Sequence, residues 1–209
     1  MPQLVLFGPP QSSYVRTARM ICIEKSVPHT LEPLQIGTDA HAALHPWKRV
    51  PILHHGDVKL LETSAIARYI DELGSGPSLL PATAAARATM EQWISILNCY
   101  VYDSVVRSYA LKYILPRFRG QDPNLEEIRA NVPAMERDIA RLDAAYAGRA
   151  WIAGDALSLA DLFVAPIVAT VAMFPEGKAA IASTKDLSRA FEQLSKRDSF
   201  AQAHAVFAG

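Results

Sequence analysis

Apolar and polar positions change their period along the chain, and the changes mark out its elements. Leu4–Phe7 is a short apolar run stopped by Gly8-Pro9-Pro10, the pattern of a buried strand ending in a hard turn. Val15, Ala18, Ile21 and Cys22 follow Ser12-Ser13 at helical spacing, which predicts a helix reaching about Lys25. His29–Pro33 reads as a strand, and residues 37–46 as loop with one helical turn. Ile52–Leu53 and Val58–Leu61 flank the turn-forming His55-Gly56-Asp57 and predict a hairpin. Ile66, Tyr69, Ile70 and Leu73 then recur at i, i+3, i+4 and i+7, one face of an amphipathic helix.

One β-α-β unit followed by a hairpin and a covering helix is the thioredoxin-like plan, an α/β domain over residues 1–75. GSGPSLLPA, residues 74–82, breaks the pattern with two glycines and two prolines, so residues 76–83 are assigned as a linker. Beyond it strand signals vanish, and residues 84–209 read as an all-α helical bundle. Residues 83–115 predict one long helix. Ile128, Val132, Met135, Ile139, Leu142 and Tyr146 form a second stripe, and Pro133 inside it predicts a kink or restart. Leu159–Met173 is apolar on nearly all sides, as a central helix should be. Shorter helices are expected around Leu187–Ser195 and Asp198–Ala205.

Lys plus Arg and Asp plus Glu number 21 each in the 209 residues, so charge recommends neither nucleic acid nor an anionic membrane as partner. The near-zero net charge is compatible with self-association. Cys22 and Cys99 form no CxxC pair or metal-ligand spacing and read as two buried, reduced thiols. The N-terminal MPQLVLFGPPQ has no basic leader or cleavage signal. The most apolar stretch, Leu157–Phe174, carries Asp161 and Pro166, so a core helix is expected rather than a membrane span. The expected location is the cytoplasm.

Four segments carry candidate chemistry. In HPWKRVPIL, residues 45–53, Pro51 either opens a strand in trans or holds a cis bond. If it is cis, the backbone N–H and C=O of Val50 face outward, where an extended peptide can pair with them. In LLETSAIARYI, residues 60–70, Glu62, Thr63 and Ser64 stand where a strand gives way to a helix. Thr63 or Ser64 can donate to a carboxylate at that helix N-terminus and Glu62 can accept from an ammonium; alternatively, one of the three simply caps the helix. Ser12-Ser13 share this ambiguity between cap and catalytic group. A free thiol has a pKa of about 8.5, and lowering it by about two units takes about 2.7 kcal/mol. One hydrogen bond to a charged group contributes about 1.5–3 kcal/mol, so a serine beside a bound sulfur is adequate. No GxSxG elbow surrounds either serine, which disfavours a hydrolase. Finally, Ser158-Leu159-Ala160-Asp161 is a near capping box, with Leu157 and Leu162 as the staple, and its role is structural.

Together SSYVRTARMICIEK (12–25), HPWKRVPIL (45–53), LETSAIARYI (61–70) and IAGDALSLADLFVAPI (152–167) resemble the cytosolic glutathione transferases nearly end to end. The resemblance is to serine-type, bacterial-like members, which place a serine at the first helix start four residues before an arginine. Here these are Ser12 and Arg16, with Ser13 in reserve and Tyr14 the weaker tyrosine-type choice. It implies that Val50, beside cis-Pro51, holds the cysteinyl part of glutathione, that Glu62 and Thr63 hold its γ-glutamyl end, and that Arg49 reaches the glycyl carboxylate. Glutathione is then a co-substrate and no cofactor is required. A small electrophilic second substrate would lie between the Ser12 loop and the long helix, with Tyr102, Arg107, Tyr109 and Lys112 as lining candidates. A homodimer is also implied. His45-Pro46-Trp47-Lys48 departs from the family's commoner Asn-Pro-aromatic-Gly. The activity expected is conjugation of the glutathione thiolate to small electrophiles; alternatives are a glutathione-dependent peroxidase or isomerase, a non-catalytic glutathione- or ligand-binding protein, or an interaction module.

Overall fold

The computed structural model describes residues 2–205. They form two compact units, one of residues up to 80 with 195–205, the other of residues 81–194. The first unit begins with β1 (Leu4–Phe7), α1 (Ser13–Glu24), β2 (His29–Glu32), α2 (Asp39–Leu44), β3 (Ile52–His55), β4 (Val58–Leu60) and α3 (Thr63–Leu73). The sheet order is β2-β1-β3-β4, with β1 parallel to β2 and the other pairs antiparallel. Leu4, Leu6, Ile52 and Leu53 are buried together with Val15, Ala18 and Ile21 of α1 and Ile66, Ala67 and Ile70 of α3, the stripes the spacing predicts.

The segment after α3 is tied to this unit. Buried Lys25 donates from Nζ to the carbonyls of Gly76 (2.7 Å) and Pro77 (2.9 Å) and stands 3.1 Å from Oδ1 of Asp71. A Cβ at residue 76 would lie 2.3 Å from the Glu24 carbonyl oxygen, so only glycine passes there.

The second unit is all helix: α4 (Ala84–Ile96), α5 (Leu111–Phe118), α6 (Leu125–Tyr146), α7 (Leu159–Val171), α8 (Pro175–Ala182) and α9 (Asp186–Ser195). Helical structure is continuous from α4 to α5, but Leu97–Val101 and Asp103–Ala110 are wound more widely, as π-helix, a departure that periodicity did not reveal. Of the kink or restart expected at Pro133, the restart does not occur. α6 runs through it, with Pro133 exposed and Ile128, Met135, Ile139 and Leu142 buried on either side of the one missing hydrogen bond. α8 was not anticipated, although Pro175 at its first turn and Glu176 beside it are start signals. Cys22 is buried, and burial pushes its thiol up to about 12 against the opposing charge of Arg19. Cys99 is a correction: it is exposed, because Leu97 and Val101 take the inward positions of its turn. No helix among the described residues is long and apolar enough to cross a membrane.

The last helix, α10 (Asp198–His204), packs on α1 and so belongs with the first unit rather than with the helical domain of residues 84–209. Glu24 receives Nε and Nη2 of Arg197, both at 2.6 Å, and the hydroxyl of Ser199 at the helix N-terminus. Arg19 donates to the carbonyls of Gln202 and Ala203 at the other end, both at 3.3 Å. Arg19 thus places a cation at the helix C-terminus, where the dipole favours it. Burial opposes ionisation of Glu24, but the bonds from Arg197 and Ser199 outweigh it and hold the carboxyl below its ordinary 4.5. A folded-state value below the unfolded one contributes stability above the unfolded pKa and loses it as pH falls through the folded one. Melting temperatures measured from pH 6 to pH 3 are therefore expected to fall more steeply in the parent than in Glu24→Gln; parallel curves would contradict the assignment.

Candidate functional site

The topology gathers three chain segments at one end of the sheet. β1 pairs antiparallel with β3 so that Phe7 faces Ile52, which puts the turn after β1 beside the residues that precede β3. β3 pairs antiparallel with β4 so that Leu53 faces Leu60, which brings the end of β4 to that same edge. Ser12, Val50-Pro51 and Glu62-Thr63 follow from these three chain ends. Gly8 shows how close the approach is: at φ +146°, a Cβ there would lie 2.7 Å from Cγ2 of Val15 and 3.1 Å from Cβ of Val50.

Ser12 is the N-cap of α1 and half-buried, its Oγ accepting the Val15 N–H at 3.5 Å. That bond uses a lone pair and leaves the O–H proton free to donate elsewhere. Ser13 is buried in the first turn. The Val50–Pro51 bond is cis. Among the described residues neither the N–H nor the C=O of Val50 has a hydrogen-bond partner, and Val50 is half-buried over buried Pro51. Arg49 is exposed. Glu62 is exposed at φ +67°, immediately before α3, and its side chain caps nothing. Such a backbone costs about 1–3 kcal/mol in a non-glycine residue and is found where the surroundings over-determine it. Thr63, the first residue of α3, is buried.

The segment HPWK has its own geometry. Lys48 takes φ +50°, the left-handed conformation that glycine adopts most freely. His45 is buried, and burial pushes its imidazole down against the opposing charge of Glu62. Sequence reasoning missed His41. It is fully buried, accepts the Gly37 N–H at Nδ1 (3.2 Å) and donates from Nε2 to the Arg49 carbonyl (3.0 Å). A lone histidine among alanines in a short helix gave no periodic signal.

Tyr102 and Arg107 lie in the second unit, in or beside the widened turns. Arg107 is ion-paired with Asp103 at 2.7 Å and lies 5.9 Å over the Tyr102 ring. Tyr109 points inward: its hydroxyl donates to Glu176 (3.0 Å) and accepts from Gly177 N–H (2.8 Å), which removes it from the lining candidates. Lys112 pairs with Glu127 at 2.6 Å.

Comparison with known proteins gives the same picture. The family model of the glutathione S-transferase N-terminal domain matches residues 6–78, and that of the C-terminal domain matches residues 106–198. The chain belongs to the glutathione S-transferase family. Glutathione S-transferase 3 of Zea mays is 26% identical over 99% of this chain and 95% of its own length. Glutathione S-transferase F10 of Arabidopsis thaliana is 28% identical over 80% of this chain and 78% of its own. The crystal structure of glutathione transferase F7 from Populus trichocarpa shares the fold with a TM-score of 0.86, at 22% identity over 96% of this chain and 97% of that one. The fold expected from the sequence, a thioredoxin-like domain with a helical one, is thus the glutathione S-transferase fold.

Proposed function

We propose that the protein conjugates glutathione to small electrophiles, with its catalytic chemistry centred on Ser12. The N–H and C=O of Val50, unpaired among the described residues at the end of the sheet that Ser12 and Glu62 share, carry this reading. A strand-like peptide laid across that end satisfies both groups. The cysteinyl unit pairs with Val50, the γ-glutamyl ammonium meets exposed Glu62, and its carboxylate takes the N-terminal N–H groups and hydroxyl of Thr63 at α3. Arg49 serves the glycyl carboxylate. The sulfur then faces the start of α1, where the Ser12 hydroxyl donates to the thiolate and the helix dipole favours its charge. Loss of the thiol proton to solvent leaves the thiolate. Its electron pair forms the carbon–sulfur bond, and the leaving group departs with the pair from the bond it breaks. Holding the nucleophile in place turns a two-body encounter into an oriented one.

Tyr102 and Arg107 are proposed as contacts of the helical domain with the second substrate. A homodimer in the cytoplasm completes the proposal, supported by family membership. Calorimetry tests the central part. Titration with glutathione is expected to release heat with saturation below millimolar concentration, and Glu62→Gln to weaken binding about tenfold, about 1.4 kcal/mol. No heat and no thermal shift at millimolar glutathione would overturn it. Binding without turnover of a chlorinated aromatic would redirect it to a peroxidase, an isomerase or a ligand-binding role.

A further inference from the structure

The contacts of His41 bear directly on the direction of the Val50 N–H. Its two ring nitrogens are used in opposite senses. Nδ1 accepts from Gly37 N–H at 3.2 Å, so the ring proton sits on Nε2, which donates to the Arg49 carbonyl at 3.0 Å. The imidazole is fully buried, so the Arg49 carbonyl is gripped from inside the protein. The bond between Arg49 and Val50 is an ordinary trans peptide, since Val50–Pro51 is the cis bond of the described chain. In a planar trans peptide the carbonyl and the following N–H point in opposite directions. Fixing the Arg49 carbonyl inward therefore fixes the Val50 N–H outward, beyond the end of β3. Rotation of this one peptide plane would turn the donor inward and present a carbonyl to the ligand instead.

We propose that His41 is a positioning residue for glutathione: through the Arg49 carbonyl it sets the orientation of the Val50 N–H that receives the cysteinyl unit. This rests on the reading of Val50 as the cysteinyl contact. His41 lies on α2 (Asp39–Leu44), outside the three segments that converge at the sheet end, and acts only through the peptide it holds.

Two substitutions separate its two bonds. In His41→Asn the amide oxygen takes the place of Nδ1 and keeps the Gly37 bond, but nothing reaches Arg49. In His41→Gln the amide nitrogen takes the place of Nε2 and keeps the Arg49 bond. Steady-state kinetics with a chlorinated aromatic are expected to show the KM for glutathione raised about tenfold in His41→Asn. The KM for the aromatic and kcat at saturating glutathione are expected to stay within about twofold, and His41→Gln to restore the parental KM. Equal KM values in the parent and both variants would overturn the proposal. So would a loss common to both variants that follows their melting temperatures, since that marks a purely structural residue. If the Asn variant does not fold, His41→Leu, which also lacks the Nε2 donor, takes its place under the same criteria, and a tenfold rise of KM in the Gln variant overturns the proposal. A parent that binds no glutathione would instead sink the reading of the site itself.

Discussion

Ser12→Ala is expected to lower turnover of a chlorinated aromatic at neutral pH by about 10- to 100-fold. A hydrogen bond to a charged group contributes about 1.5–3 kcal/mol, and every 1.36 kcal/mol is tenfold in rate. Ser12 is built to give that bond away. Its Oγ accepts the Val15 N–H and is half-buried at the mouth of the first helix, which leaves the hydroxyl proton uncommitted. The pH profile supplies the diagnostic signature. Without the donor the bound thiol ionises at higher pH, so the loss is greatest at low and neutral pH and shrinks as pH rises past the ionisation of the unassisted thiol. A variant slowed equally at all pH values would have lost something other than thiolate stabilisation. The cap bond to Val15 is long at 3.5 Å, so removal costs stability only at the low end of the capping range, about 0.5 kcal/mol. Ser13→Ala is the comparison: Ser13 is buried in the helix, and its loss is expected to leave the profile in place. A Ser12→Ala enzyme as fast as the parent would remove the serine assignment.

Asp161→Ala is expected to cost more than any surface substitution in the chain. The carboxylate is fully buried and satisfies four donors: Tyr146 hydroxyl and Ile152 N–H on Oδ1, both at 2.9 Å, and Ser158 N–H (2.9 Å) and hydroxyl (2.7 Å) on Oδ2. Burial raises its pKa, and the bonds from Ile152, Ser158 and Tyr146 work against that rise. Alanine leaves at least three buried donors without a partner, at about 1–3 kcal/mol each, so a loss of about 3 kcal/mol or more is expected. For a chain of this size that lowers the melting temperature by roughly 6–12 °C. The measurement is thermal or urea unfolding. Asp161→Asn keeps one acceptor and is expected to fall between alanine and the parent. A change below about 1 kcal/mol in the alanine variant would show that the capping network is not what fixes the start of α7.

Much of the fold was legible because its elements follow simple periods. The stripe from Ile128 to Tyr146 and the unbroken apolar run from Leu159 admit only helices, and Leu4–Phe7 before Gly-Pro-Pro admits only a strand. A restart at Pro133 does not occur because a stripe of buried side chains outweighs a single lost hydrogen bond. The wider winding of 97–101 and 103–110 was hidden because a shift from 3.6 residues per turn barely alters which positions look apolar. At the site, Ser12, Val50-Pro51 and Glu62-Thr63 were found because each sits at a chain punctuation mark: a cap, a proline, a strand-to-helix junction. His41 was not, since nothing in its neighbours signals that its ring spans from Gly37 to Arg49. Tyr109 was misread because a tyrosine carries the same letter whether it faces a ligand or a buried glutamate.

The pairing of Glu24 with Arg197 and Ser199 joins residues more than 170 positions apart. As the nascent chain leaves the ribosome, α1 is made before residues 81–194 but gains α10 on its outer face only after them. The first unit is thus completed only after the second has been made. Cutting the gene at the Gly-Pro junction after α3 would yield a fragment with a charged seam where that helix belongs.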